Sequence, residues 1–309
     1  MAEIWRYNVA VTDDDWFRLL SRQPDLDEVN FWQPSPSGVA DPAGTPWLFK
    51  LRSPRNYVVG GGFFTYYARL PIGTAWNTFE LKNGVGSFEE LLARVSKYRK
   101  IQPRDVDEIG CVILGQPFFF EERDWIPIPD DWAKNIVKGR HYQLTERNGS
   151  DLWRQVSLRL QTTPVGVSPI VGPLQPPAFG KPLMVAPRLG QGSFRMAVLD
   201  AYERRCAVTG ERTLPALDAA HIKPFALVKA HSIDNGLSLR SDIHRLYDQG
   251  YVSVRPDGRF AVSKQIRKEF ENGRDYYALH DRELRMPANL QHRPNSTALN
   301  WHYSERFRG

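Results

Sequence analysis

The chain has 309 residues, of which 41% are hydrophobic and 12% aromatic, a composition that describes a globular protein and excludes a disordered one. No run of about 18 apolar residues is present, and the first residues lack the basic and apolar regions of a signal peptide, so we expect a cytoplasmic protein with no membrane partner. With only two cysteines, Cys111 and Cys206, the chain has neither a disulfide framework nor a four-cysteine zinc site.

Positive charge is concentrated in the last part of the chain. Residues 191–309 contain 19 Lys and Arg against 14 Asp and Glu, a balance of +5, whereas the rest contains 22 against 21, a balance of +1. A local positive field of this kind suits a polyanionic partner such as DNA. Ordinary solubility charge is the alternative explanation.

The elements predicted first along the chain indicate an α+β domain that is rich in strands. Runs of Val, Phe and Tyr predict strands at 46–51, 56–70 and 110–120. Three consecutive glycines at 60–62 predict a bulge or a close backbone approach within the second of these strands. Ser87 predicts the N-cap of a helix, and Glu90, three residues later, completes a capping box.

A change of composition separates this domain from the next. Residues 162–192 contain seven prolines and almost no charge, which is typical of an extended linker. We therefore predict one domain at 1–161, a linker at 162–189 and a second domain at 190–309.

The second domain begins with a predicted helix capped by Ser193. Strands follow at 214–222 and 236–239, and a second helix begins with Ser241 as its N-cap and ends at Gly250. Residues 251–263 predict a hairpin that turns at Pro256-Asp257-Gly258.

Four residues on this strand–loop–strand–helix unit suit phosphodiester hydrolysis, which needs a proton acceptor for water and positive charge at the leaving oxygen. His221 ends the first strand, and its imidazole titrates near neutral pH, as a base requires. His244 and Asp248 are four residues apart on one helical face, where they can hold one ion. Asn235 precedes the second strand, where its amide is placed to fix the loop and the His221 ring.

The segments AAHIKP (219–224) and NGLSLRSDIHRLYDQGYVSV (235–254), together with CAVTGE (206–211), resemble the HNH endonucleases of bacterial restriction-type proteins. The resemblance implies a ββα-metal fold and a metal-dependent DNA endonuclease. It implies that His221 is the general base, that Asn235 orients this base, and that His244 and Asp248 are metal ligands.

One position departs from the family pattern. Many members have an Asp or His ligand immediately before the base, and here that residue is Ala220. Asp218 projects from the same face of the strand and is our candidate for the third ligand. Two carboxylates and one imidazole suit Mg²⁺ or Mn²⁺, with Zn²⁺ or Ni²⁺ as alternatives. Cys206 has no CxxC partner and is expected to be a small buried residue.

Other charged and aromatic residues near the motif have two interpretations each. Their basic members either contact DNA phosphates or are solvated surface charges; they are Arg204, Arg205, Lys223, Arg240 and Arg245. We expect His231 to be exposed in a variable loop and Trp301 to be part of the core, and His302 stays undecided.

The first domain resembles, more weakly, the PUA-like modules such as the SRA and EVE domains, through FWQP, WLFKL, GGGFF, PIGTAW and NTFELKNG. The resemblance implies recognition of a modified base that is flipped out of DNA. Candidate stacking walls are Phe31, Trp32, Phe63 and Trp76, and Asn83 or Arg55 is a candidate reader of the base edge. The alternatives are that these aromatics are core residues, or that the domain binds a protein or a DNA sequence.

Two functions therefore remain. The first is a restriction endonuclease that cuts double-stranded DNA, with modified bases as its expected target. A homodimer is expected for it because one HNH site cuts one strand. The second is a non-catalytic DNA-binding protein in which the same residues hold a structural metal.

Overall fold

The computed structural model describes residues 6–162 and 189–309, and the chain divides into two compact units, Met1–Arg188 and Leu189–Gly309. The predicted linker at 162–189 lies outside the described residues except for its two ends. Both units combine helices with sheet, so the α+β fold class is confirmed. Among the described residues, no helix has the length and apolar composition needed to cross a bilayer.

The first unit is built on one mixed sheet of seven strands. Its strands are β1 (Arg6–Thr12), β2 (Glu28–Gln33), β3 (Pro46–Leu51), β4 (Tyr57–Pro71), β5 (Glu108–Phe119), β6 (Ile126–Pro127) and β7 (Gly139–Gln143), and its helices are α1 (Asp14–Leu20), α2 (Ile72–Phe79), α3 (Phe88–Arg99) and α4 (Arg147–Thr162). The strand order is β2-β5-β4-β3-β1-β7, with β6 paired to β4. Among the strands that the structure describes in this unit, β1 and β3 are parallel and the other pairs are antiparallel.

Alternating side chains of the sheet enter two hydrophobic clusters. Trp47 and Phe49 of β3 pack with the apolar face of α1 in one cluster, whereas Leu48 packs with α4 through Leu152 and Val156 in the other. This is the arrangement that period-two alternation produces when both faces of a sheet are covered. It explains why these strands read as nearly continuous apolar runs.

The triple glycine of β4 lies where the pairing with β5 shifts its register, between Gly61 and Phe63. A Cβ atom on Gly60 would lie 2.3 Å from the carbonyl oxygen of Phe118, so no side chain fits there. The predicted bulge and close approach are therefore both present.

The predicted start of α3 is confirmed with one difference. The Ser87 hydroxyl accepts from the Glu90 backbone N–H at 3.2 Å, as a capping box requires. The Glu90 carboxylate accepts from the backbone N–H of Gly86 at 2.8 Å, one residue before the expected partner. Both bonds satisfy donors at the helix N-terminus.

The second unit contains two antiparallel strand pairs and six helices among its described residues. The strands are β8 (Leu217–His221), β9 (Gly236–Arg240), β10 (Val252–Val254) and β11 (Phe260–Val262), and the helices are α5 (Gln191–Ala201), α6 (Phe225–Val228), α7 (Ser241–Asp248), α8 (Gln265–Phe270), α9 (Arg274–Tyr277) and α10 (Ser296–Glu305). β8 pairs with β9, β10 pairs with β11, and α7 follows β9 directly. The β8–β9–α7 order is the predicted ββα unit.

Two predicted helix caps in this unit are wrong by one to three residues. Gly190 is the N-cap of α5, and Ser193 lies buried within the first turn. Arg240 is the N-cap of α7, and the hydroxyl of Ser241 donates to the carbonyl oxygen of Ala216 instead. Residues 214–216 form a short 3₁₀ turn, so the first strand starts at Leu217 rather than at 214.

Of the two aromatic residues near the C-terminus, Trp301 differs from its prediction, and His302, for which no role is predicted, is buried. Trp301 is only partly buried, with the Lys223 ammonium 5.7 Å from the centre of its ring. His302 is 3% exposed and stacks on Tyr247 of α7 at 3.7 Å. His302, rather than Trp301, is therefore the core residue that attaches α10 to α7.

Candidate functional site

A cavity of about 380 Å³ in the second unit brings four of the predicted site residues together. Its lining comes from α5, β8, α6 and α7, and comprises Gln191, Phe194, Arg195, Asp218, Ala219, His221, Pro224, Phe225, His244 and Asp248. The predicted base and the three predicted ligands all lie on this surface. The ββα unit places them there because the end of β8 and the helix α7 border the same opening.

His221 is the last residue of β8 and is held by an aromatic ring. Its imidazole stacks on Phe194 of α5, with the ring centres 4.1 Å apart and the planes 13° from parallel. Burial, and the neighbouring His231 and His244, lower the pKa of His221 to about 4. The imidazole is therefore neutral at pH 7, with one nitrogen lone pair, as a general base must be.

Asn235 fixes the chain that follows the base. Its amide nitrogen donates to the carbonyl oxygen of Lys223 at 2.9 Å, and its amide oxygen accepts from the Lys223 N–H at 2.9 Å. The carbonyl oxygen of Asn235 also accepts from the backbone N–H of Ile222 at 2.9 Å. Asn235 is buried and is not part of the cavity lining. These hydrogen bonds fix the backbone that directly follows His221, and the orienting role of Asn235 stays a prediction.

His244 lies between the two acidic candidates. Its Nδ1 is 3.4 Å from Oδ2 of Asp218, and its Nε2 is 3.3 Å from Oδ2 of Asp248. Burial lowers the pKa of His244, but the bond to Asp218 and the charges of Asp248 and Asp218 outweigh burial and raise it above the usual value. The hydrogen bond from His244 outweighs burial at Asp218, and with Ser241 and Arg195 it holds the pKa of that carboxyl low.

The donor set suits a divalent ion in kind, because carboxylate oxygens and imidazole are ligands of such ions. The side chains, however, pair with one another, and each ring nitrogen of His244 faces a different carboxylate. Within residues 6–162 and 189–309, no three His, Cys, Asp or Glu side chains converge on a point that holds an ion. The metal role of Asp218, His244 and Asp248 stays a prediction.

The structure adds three residues to the site that the sequence did not predict there. His231 is half-buried rather than exposed, and its Nδ1 is 2.9 Å from Nε2 of His221. Arg195 of α5 lies 3.7 Å from Asp218 and donates to the carbonyl oxygen of Leu217 at 2.5 Å. The third residue is Phe194, whose ring stacks on the His221 imidazole. For these three residues, the sequence offered one signal, which is that position 231 is a histidine. Its contact with His221 depends on the path of the loop in the folded unit.

Several of the predicted DNA-contacting cations already have partners. Arg204 pairs with Asp200 at 2.7 Å, and Arg240 makes two bonds to Asp242, at 2.7 and 2.8 Å. Arg205 is 4.0 Å from Glu203, and Lys223 lies beside Trp301. Arg245 is exposed, and no ion-pair partner of it occurs among the described residues. It is the candidate most available to a phosphate.

The four aromatic residues proposed as a base pocket are not brought together as one wall. Phe31 and Trp32 are successive residues of β2, so their side chains leave opposite faces of the sheet. Phe31 stacks on Phe49 with centroids 6.2 Å apart and packs on the first hydrophobic cluster, whereas Phe63 packs on the second. Trp76 lies half-buried on α2.

The polar groups of these candidate residues also have partners within the first unit. The Trp32 indole N–H donates to the Asn83 carbonyl oxygen at 3.0 Å. Asn83 is fully buried, and its amide bonds to Asn30 and to the carbonyl oxygen of Glu80, both at 2.9 Å. Its side chain is therefore used within the fold. Arg55 pairs with Asp14 at 3.2 Å on the surface.

Comparison with known proteins identifies the segment that carries the site. Residues 206–255 match the family model described as HNH endonuclease, and all five predicted catalytic and metal-binding residues lie within this range. The predicted resemblance of the second unit is thereby confirmed. No curated protein matches the chain.

Solved structures that are similar to the chain include the ASCH protein from Zymomonas mobilis, at 10% identity, with a TM-score of 0.33, covering 48% of this chain and 94% of that chain. A Tyr-to-Phe mutant of that protein is similar at 9% identity and the same TM-score, covering 48% and 97%. The likeness falls on the N-terminal half, where the sequence predicts a PUA-like module. A TM-score of 0.33 carries no functional inference.

Proposed function

We propose that the chain is a metal-dependent endonuclease that hydrolyses phosphodiester bonds of double-stranded DNA in the cavity of its second unit. The observation that carries the proposal is the meeting of His221, Asp218, His244 and Asp248 on one cavity within the segment that matches the HNH endonuclease model. The excess of basic residues in 191–309 supports a DNA substrate.

His221 takes the proton of the attacking water in this proposal. The pKa of His221, about 4, keeps the imidazole neutral at pH 7. Stacking on Phe194 and the hydrogen bonds between Asn235 and Lys223 hold the position of His221. Asp218, His244 and Asp248 are the residues that would hold a divalent ion, Mg²⁺ or Mn²⁺ in preference to Zn²⁺ or Ni²⁺. Such an ion supplies positive charge for the phosphate and the leaving 3′ oxygen. The products carry 5′-phosphate and 3′-hydroxyl ends.

The alternative, a DNA-binding protein with a structural metal, is distinguished by one substitution. His221→Ala removes the base and leaves the three candidate ligands in place. We expect cleavage of plasmid DNA to fall by about 10²–10⁴-fold or more, while DNA affinity and the melting temperature stay within error of wild type. A His221→Ala protein that cuts at the wild-type rate would support a different base.

His244→Ala and Asp248→Ala test the ligand assignment. Both should weaken Mn²⁺ binding in calorimetry as well as cleavage, because they are expected to contact the ion directly. Asp218→Asn should produce a partial defect in both. Gln249→Ala, on the neighbouring exposed position after α7, is the matched control. Unchanged Mn²⁺ affinity in both ligand variants would remove the metal assignment.

For the first unit, we propose that it selects the DNA, and that modified bases are its target in a restriction role. Two partly exposed indoles, Trp32 and Trp76, support the proposal as possible stacking surfaces. Sequence-specific recognition is the second candidate. Digestion of plain, methylated, hydroxymethylated and phosphorothioated DNA with Mg²⁺, Mn²⁺ or EDTA separates these possibilities.

Trp32→Ala and Trp76→Ala refine that test. Loss of a base-stacking ring should weaken binding of modified duplex by about 1–3 kcal/mol, with a smaller effect on plain duplex. A large fall in melting temperature with unchanged preference would instead make these rings structural. Sedimentation with and without duplex DNA tests the proposed homodimer.

A further inference from the structure

The loop between β8 and β9 places a second imidazole against the candidate base. Nδ1 of His231 lies 2.9 Å from Nε2 of His221, which is hydrogen-bond distance between two ring nitrogens. The contact joins residues ten positions apart and is partly buried. Within residues 6–162 and 189–309, the His221 ring has no described polar contact that is shorter.

Aromatic rings hold both imidazoles in place. His221 stacks on Phe194 at 4.1 Å with an interplanar angle of 13°, and His231 stacks on Phe225 at 4.3 Å with an angle of 16°. The Phe194 ring is also 5.3 Å from His231. The two phenyl rings thus fix the planes of the two imidazoles. The contact between the ring nitrogens therefore follows from the packing of the loop.

A hydrogen bond between two neutral imidazoles has only two forms, because each ring carries one N–H and one lone pair. In the first form, His221 donates from Nε2 and keeps the lone pair on Nδ1. In the second form, His231 donates from Nδ1, and His221 carries its own proton on Nδ1 with no lone pair free. Only the first form leaves His221 able to accept a proton from water.

We propose that His231 is a positioning residue of the active site, which accepts the Nε2–H of His221 and so makes Nδ1 of His221 the general base. This inference rests on the proposed nuclease function. Its analogue in other enzymes is the third group that holds a catalytic imidazole in the correct tautomer. In this chain the third group is a second histidine, His231, rather than a carboxylate.

The proton balance of the step follows from this form. The attacking water gives its proton to Nδ1 of His221, its oxygen forms the new bond to phosphorus, and the bond from phosphorus to the 3′ oxygen breaks. The leaving oxygen takes a proton from solvent water, and the hydroxide that this leaves takes the proton back from Nδ1 of His221. The Nε2–H of His221 stays on His221 throughout and continues to donate to His231, so the charge that develops on the imidazole is shared through that bond.

Two substitutions separate the hydrogen bond from the ring stack. His231→Phe keeps a ring against Phe225 but removes the acceptor, whereas His231→Asn places an amide oxygen near the position of Nδ1 and removes the ring. We expect single-turnover cleavage to fall by about 10–100-fold in His231→Phe, the usual range for a residue that acts through another. The Asn variant should recover most of the lost rate. DNA affinity and melting temperature should be unchanged in both.

A spectroscopic measurement tests the tautomer without relying on cleavage. Long-range ¹H–¹⁵N spectra of the full chain, with its seven histidines labelled with ¹⁵N and His221 assigned by its loss in His221→Ala, report which ring nitrogen carries the proton. We expect Nε2–H for His221 in wild type and in His231→Asn, and a mixture of tautomers in His231→Phe. Finding Nδ1–H in wild type would overturn the proposal.

The outcomes distinguish this inference from the proposed function. A wild-type protein that cuts, with His231→Phe cutting at the same rate or His231→Asn as impaired as His231→Phe while folded, overturns the role of His231 alone. A wild-type protein that cuts no DNA overturns the proposed function, and the tautomer spectra then decide the pairing by themselves.

Discussion

At the scale of single residues, His302 makes the second unit sensitive to acid. The Ser253 hydroxyl donates to its Nδ1 at 2.8 Å, and its Nε2–H donates to the carbonyl oxygen of Tyr247 at 3.2 Å, which fits the neutral ring. Burial, against the favourable bond to Tyr247, lowers the pKa of His302 from 6.5 to about 4.

The sign of the effect follows from where the protons bind. Between pH 6.5 and about 4 the unfolded chain binds a proton at His302 that the folded chain does not, so the free energy of unfolding falls as the pH falls through this window. The contribution present above pH 6.5 is on the order of 3 kcal/mol. Urea unfolding from pH 7.5 to 4.5 should show the decline, with a shallower slope in His302→Gln. An identical slope in that variant would contradict the assignment.

The residues predicted from sequence and those added by the structure differ in one physical respect. His221, Asn235, His244 and Asp248 belong to a pattern whose spacing follows from two strands and one helix, so their chemistry could be recognised from order alone. His231 and Arg195 reach the site only through the loop path and the packing of α5. No periodicity encodes these contacts, which is why both were missed. The same limit explains why Trp301 was wrongly predicted to be a core residue and why no role was predicted for the buried His302.

At the scale of elements, Asn235 ties the end of β8 to the start of β9. Asn235→Ala leaves the backbone N–H and C=O of Lys223 without their partner, at a cost of about 1–3 kcal/mol in the free energy of unfolding. Asn235→Asp should cost at least as much, because a carboxylate oxygen would face the Lys223 carbonyl oxygen. Cleavage should fall in both. Denaturant melts and plasmid cleavage measure the effects, with the exposed Asn272→Ala expected to match wild type.

The bulged strand β4 supplies a paired test in the first unit. Gly60→Ala places a Cβ atom 2.3 Å from the carbonyl oxygen of Phe118, and we expect a destabilisation of about 1–3 kcal/mol. Gly73 lies on α2, and a Cβ atom there meets nothing within 4 Å. Gly73→Ala should therefore be neutral or stabilise by up to about 1 kcal/mol. Equal effects in thermal or urea unfolding would show that the bulge tolerates a side chain.

The strand at 46–51 was predicted more accurately than the starts of α5 and α7. The strand at 46–51 has the predicted bounds, because runs of large β-forming residues persist across the whole element. Helix starts depend on single hydrogen bonds, and a serine near a helix start has other uses. Ser241 donates to Ala216 across the ββα unit, and Ser193 is buried. Ser87 caps α3 as predicted.

At the scale of the whole molecule, each unit has its own buried core among the described residues. We therefore expect a fragment of residues 189–309 to fold and to cut DNA without the selectivity of the full chain. The fragment's cleavage should weaken as salt rises, because its contacts are expected to be mainly with phosphates. Circular dichroism and plasmid cleavage check both points, and a fragment that folds but does not cut, where the full chain does, would contradict the expectation that the second unit cleaves by itself.

Phe194 serves two parts of the second unit at once, since it is 1% exposed in the hydrophobic interior and also carries the ring of His221. Loosening of the interior around Phe194 is therefore expected to move His221, the proposed general base, before the unit unfolds. We expect heat to abolish DNA cleavage several degrees below the midpoint of unfolding.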